Sequence, residues 1–166
     1  MLVFLDTEFT SLEWPAELLS VALVTEDPEL KLYLERTDFL VENCSRFVVD
    51  EVLPLFGRIA DSQVRYDDIG PRVWRWLNTL GTSVRLVSDS AIDARLLLPM
   101  LPKPLPGQLC AEPLLLGNLI RHPAFEYAEA ESFAATGGWR HHALHDAWAL
   151  KAGYLALPAS LRRAHV

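Results

Sequence analysis

Two carboxylates, Asp6 and Glu8, stand two residues apart at the end of the apolar run Met1–Leu5. In a β-strand the side chains at i and i+2 point to one face. Both acids therefore project together from a strand whose composition assigns it to the interior. Like charges held that close cost free energy unless a cation neutralises them. The chain must then form either a buried strand that ends at a divalent-metal site or one that ends in a solvated acidic turn. The rest of the sequence decides between the two.

With 166 residues and 51% apolar types, the chain suits one domain with a full core. A net charge of −7 excludes a general duplex-coating protein, which is normally basic. It does not exclude a nuclease that grips a strand at one end, because cations bound in an acidic cluster reverse the local field. Cys44 and Cys110 lie far apart and form no paired motif, as expected for free thiols in a cytoplasmic protein. Cys110, His122 and the later histidines include no short-spaced ligand pair, so zinc is not expected. The N-terminus lacks a basic region ahead of a signal core, and no run approaches the roughly 18 apolar residues of a membrane span. The expectation is a soluble protein with no membrane association.

Met1–Asp6 reads as a strand, as does the β-branched run Glu17–Glu26, which Asp27-Pro28 breaks. Leu30–Arg36 alternates Leu32 and Leu34 with polar neighbours, so it pairs with the preceding run as a hairpin. Phe47–Phe56 looks helical, with Pro54 near its end. Tyr66–Leu80 carries Ile69, Val73, Trp76, Leu77 and Leu80 at helical spacing, and Gly81 closes it. Ser83–Ser88 is a short strand; Asp89–Met100 is a helix that Ser88 or Asp89 caps and Pro99 ends. A weak strand near Gln108–Ala111 precedes a helix over Leu114–Ile120, and Arg121–Trp139 is less regular, with Gly137-Gly138 as a joint. The last strong helix runs from His142 to about Leu157 before Pro158. One domain over residues 1–158, followed by a loosely ordered tail at 159–166, is expected. Its architecture is α/β or α+β, a mixed sheet of about five strands flanked by helices.

Asp93 follows a strand-to-helix turn in Ser88-Asp89-Ser90-Ala91-Ile92-Asp93, and Arg140-His141-His142-Ala143-Leu144-His145-Asp146 opens the last helix. Asp-x-Glu on a first strand, a central Asp after a strand-to-helix turn and His-x4-Asp before a late helix together resemble the DEDDh 3′–5′ exonucleases. That family has a ribonuclease H-like fold and includes proofreading exonucleases, ribonuclease T and oligoribonuclease. Asp6-Thr7-Glu8-Phe9 followed by Glu17-Leu-Leu-Ser-Val-Ala-Leu-Val24 looks most like the small stand-alone bacterial 3′–5′ exoribonuclease domains. The chain departs from relatives in having Asp89 where Asn is frequent, and in its run of histidines. Spacing favours His141 as general base, whereas an i, i+4 helix face favours His142 beside Asp146.

The resemblance implies a catalytic set of Asp6, Glu8, Asp93, His141 and Asp146, the four acids holding two divalent cations, Mg2+ or Mn2+. Two such ions about 3.5–4 Å apart clamp an in-line displacement at phosphorus, and an imidazole titrating near neutrality suits the water's proton. It implies release of nucleoside 5′-monophosphates from the 3′ end of single-stranded RNA or DNA, 3′ overhangs included, with RNA favoured. A homodimer is a further implication. Thr7, Phe9 and Thr10, beside the catalytic strand, are candidate contacts to the terminal nucleotide. Trp14 either stacks on a base or packs on the core, and Arg140 either meets a phosphate or solvates a loop.

Overall fold

The computed structural model describes residues 1–165. Strand β1 (Leu2–Phe9) is central in a sheet of six strands; β2 (Leu18–Thr25) and β3 (Lys31–Arg36) follow it as an antiparallel meander. Every residue of β2 is buried, because both faces of that strand are covered. Beyond the short β4 (Gln63–Val64) the chain forms α1 (Tyr66–Thr79) and returns through β5 (Arg85–Ser88), parallel to β1. Next come α2 (Ala91–Leu97), the edge strand β6 (Leu114–Leu115), α3 (Pro123–Ala135), α4 (Ala143–Ala156) and α5 (Ala159–His165). The sheet order is β4-β3-β2-β1-β5-β6. The fold is thus α/β, a mixed ribonuclease H-like sheet flanked by helices, with six strands where about five are expected.

The alternation of β1 divides the core. Val3 and Leu5 pack with Val21, Leu23 and Leu34 against Ile69, Val73 and Leu77 of α1 and Leu97 of α2. Phe4 packs with Ala22 and Val24 against Ala147, Leu150 and Tyr154 of α4 on the opposite face. Helix α3 lies outside α4, and the two meet closely at Gly153: a Cβ there would stand 2.6 Å from the Phe125 ring. Gly70 of α1 permits a similar approach, since a Cβ would come 1.8 Å from the Met100 carbonyl oxygen.

Several local expectations are corrected. β1 pairs with β2 as far as Phe9, so Asp6 and Glu8 lie inside the strand and not beyond its tip. The segment 47–56 is helical as expected but irregular, widely wound over Val48–Val52 and tightly wound over Leu53–Leu55, where Pro54 has no N–H to give. Ser90, not Ser88 or Asp89, caps α2, its Oγ accepting from the Ile92 N–H at 3.2 Å. Near Gln108–Ala111 there is only a bridge between Val84 and Leu109; the edge strand comes later, at Leu114–Leu115. Gly117, at φ +51°, separates that strand from a tight turn over Gly117–Arg121, which breaks the helix expected there. Residues expected to be irregular form α3, and the tail forms α5. No helix among the described residues is long and apolar enough to cross a membrane.

Candidate metal centre and substrate cleft

Asp6 and Glu8 share the α4 face of β1 with Phe4, as the strand period requires. Asp146, in the first turn of α4, faces them. Its Oδ2 accepts the backbone N–H of His142 at 2.9 Å, so the acid also closes the open end of its own helix. One oxygen from each of Asp6, Glu8 and Asp146 lies within 4.8 Å of the others. Burial, together with the charge of Asp146, holds the Asp6 carboxyl well above its usual range. Burial first, then Asp146, pushes the Glu8 carboxyl up to about 9. Burial raises Asp146 itself to about 7, against the lowering effect of the His142 N–H.

Asp93 approaches β1 from its other face, through Thr7. It is buried in α2, and its Oδ1 accepts from Thr7 Oγ1 at 2.7 Å. Its Oδ2 has no partner among the described residues. Burial raises its carboxyl to about 7, while the Thr7 hydroxyl pulls it down. Asp93 is therefore not one of the three acids that converge, although its charge bears on both Asp6 and Glu8. Asp89, beside the turn, raises Asp6 further.

The cleft above these acids has a volume of about 260 Å3, and its wall includes Asp89, Glu129, Phe133, Arg140 and His141. The Arg140 guanidinium stacks on Phe133, 4.1 Å from the ring centre, and its charge lowers Asp146 and Glu129. Gly137 and Gly138, at φ +89° and +75°, turn the chain sharply after α3 and deliver Arg140 and His141 to the cleft. His141 itself adopts φ +63°, a conformation rare for a side-chain-bearing residue. Its exposed ring meets Phe47 edge-on at 4.9 Å.

His142 has a different environment. It is the N-cap residue of α4 with extended backbone, so the helix-face relation to Asp146 holds for its N–H and not for its ring. The ring is fully buried, stacks on Tyr33 at 4.7 Å and packs against His145 and Trp139. Burial and His145 depress it to about 4, which keeps it neutral.

Of the candidate substrate contacts, Phe9 lines a second cavity of about 380 Å3 with Leu12, Phe47 and Val48. Glu8 and His141 belong to both cavities, which makes them contiguous. Thr7 lines the cleft and positions Asp93. Thr10 is buried and ties down a loop, its Oγ1 accepting from the Glu17 N–H at 3.0 Å and its carbonyl from Ser45 at 2.8 Å. Trp14 lies outside both cavities, under the guanidinium of Arg95. Leu12, Phe47, Glu129 and Phe133 are cleft residues that sequence reasoning missed. They sit on a loop, a wide turn and a helix without an apolar stripe, none of which has a periodic signature.

The donor set fits a hard divalent cation. It is all oxygen, converges within a few ångströms, and its carboxyls are raised by burial first and, for Asp6 and Glu8, by the charge of Asp146. No protein-family model matches the chain, and no curated protein matches it in sequence.

Proposed function

We propose that this protein is a metal-dependent 3′–5′ exonuclease that releases nucleoside 5′-monophosphates from single-stranded 3′ ends. The observation that carries the reading is the convergence of Asp6, Glu8 and Asp146 beside an exposed imidazole and an apolar cavity. Bound by these acids, with Asp93 behind them, two Mg2+ or Mn2+ ions would supply Lewis acidity and a nucleophilic water at neutral pH.

The protein's own groups account for the remaining chemistry. Phe9, Leu12 and Phe47 enclose the terminal base through apolar and ring contacts, while the scissile phosphate lies over the acids. Arg140 holds a phosphate oxygen from the wall of the cleft. His141 takes the proton of the attacking water, its imidazole held edge-on against Phe47. Polarity from the 3′ end and preference for RNA over DNA come from the family resemblance of the three motifs. So does a homodimer, and the free thiols Cys44 and Cys110 agree with a cytoplasmic setting.

The test is a single-stranded RNA labelled at its 5′ end and incubated with Mn2+ or with EDTA. Stepwise shortening from the 3′ end with Mn2+ alone, with nucleoside 5′-monophosphates as products, is expected. Internal cleavage, or no shortening of RNA or DNA, would contradict the proposal. The second outcome would favour a protein that binds strand ends without cutting them.

A further inference from the structure

The loop between β1 and β2 has two sides. Thr10 and Glu17 close its neck, the Thr10 N–H donating to the Glu17 carbonyl at 3.0 Å. Leu12 and Glu13 line the cavity beside the acidic cleft. The next residue, Trp14, lines a separate cavity of about 540 Å3 with Tyr66, Asp67, Arg95 and Met100. Trp14 is 55% exposed and Tyr66 40% exposed, an unusual outlay of aromatic surface to leave facing water.

Each ring is backed by a guanidinium. Arg95 lies 3.8 Å from the centre of the Trp14 ring, and Arg36 lies 4.7 Å from that of Tyr66. The two cations are not equivalent. Arg36 is neutralised by Glu17 at 2.7 Å and Asp38 at 3.1 Å, so it serves as a platform. Arg95 is exposed and has no carboxylate partner among the described residues, although the protein carries a charge of −7. Beyond Arg95 lies another cavity of about 570 Å3, where Lys103 adds a second cation and Glu112 one acid. Two exposed rings, one of them joined to a cation that no carboxylate neutralises, are what unpaired bases and their phosphates require.

We propose that this groove binds unpaired nucleobases of the substrate strand upstream of its 3′ end, with Trp14 and Tyr66 stacking on bases and Arg95 meeting a phosphate. The assignment rests on the exonuclease reading, because the strand crosses the 10–17 loop from the acidic cleft to reach the groove. Asp67 is the carboxylate of this cavity, so the phosphates run along the Arg95 side. The groove makes the preferred substrate a strand with a single-stranded stretch several nucleotides long, in contrast to a dinucleotide or a blunt duplex end.

The experiment measures binding in EDTA, so that no strand is cut, by competition of unlabelled oligonucleotides against a fluorescent octanucleotide. A dinucleotide, a tetranucleotide and an octanucleotide are compared on the wild type and on Trp14→Ala, Trp14→Phe and Tyr66→Ala. In the wild type the octanucleotide should bind about tenfold or more tightly than the dinucleotide, as one added stack predicts. That ratio should collapse towards one in Trp14→Ala and fall in Tyr66→Ala, while Trp14→Phe, which keeps a π face, restores much of it. In Arg95→Ala the slope of log affinity against log salt should drop by about 0.7, the value for one single-strand phosphate. A ratio near one in the wild type, or an undiminished ratio in Trp14→Ala, overturns the proposal; the first would leave the groove to a protein segment. Failure of the catalytic reading shows elsewhere, as absent shortening with Mn2+ while the length ratio persists.

Discussion

Asp146 has two functions that one substitution separates. Its oxygen satisfies the N-cap N–H of α4, and its charge belongs to the acid cluster. Asp146→Asn keeps a carbonyl for the N–H and deletes the charge. The variant should lose turnover by orders of magnitude while its Tm in EDTA stays equal or rises, because a repelling buried charge is gone. A large fall in Tm would mean that the acid is mainly structural. The neighbouring histidines should respond oppositely. His141→Ala, at an exposed ring in the cleft, should lower turnover about 100-fold to 10,000-fold with Tm unchanged. His142→Ala, which empties the space stacked on Tyr33, should lower Tm by about 5–10 °C. Kinetics and melting of the two variants side by side check both expectations, and a reversed pattern would remove His141 from the mechanism.

Among the elements, the pairing of α3 with α4 matters most to the cleft, because α3 supplies Glu129 and Phe133 to its wall. Gly153→Ala would push a methyl into the Phe125 ring and should destabilise the fold by about 1–3 kcal/mol, measurable by denaturant melting. An unchanged midpoint would show that α3 moves aside freely. The sequence makes the strands and α1 readable, since β2 is continuously apolar and α1 has a clear stripe at Ile69, Val73 and Leu77. It hides α3, whose alanines and aromatics are spread around the helix, although His122-Pro123 is a start signal. The acids Asp6, Glu8 and Asp146 are legible because strand period and helix start fix their direction. Asp93 is only half legible: its helix is readable, but its attachment to Thr7 from the far face of β1 is a tertiary fact. Leu12 and Phe47 leave no trace in periodicity, since loop paths are set by packing and not by local pattern.

At the scale of the whole molecule, the cluster stores the cost of burying carboxylates, to which like-charge repulsion adds. Glu8 is raised to about 9, Asp93 and Asp146 each to about 7, and Asp6 also upward. An unfolded chain titrates these groups near pH 4, so between about pH 4 and pH 9 the folded state holds more protons than the unfolded one. Unfolding then releases protons, and the stability of the metal-free protein falls as pH rises through that window. Melting in EDTA should show Tm declining from acidic to alkaline pH across this range, and Mn2+ should flatten the decline by supplying the missing positive charge. A Tm in EDTA that rises with pH would contradict burial of these acids in one cluster.

The proposed chemistry requires Asp6, Glu8 and Asp146 together to hold a divalent cation. Electron paramagnetic resonance of Mn2+ tests it without any substrate, because the signal of the free ion is lost when it binds. Titration of the wild type should deplete that signal with saturable stoichiometry, and Asp146→Asn, folded to the same extent, should leave most of it. Equal depletion by both proteins, or none by either, would contradict a cation site built on Asp146.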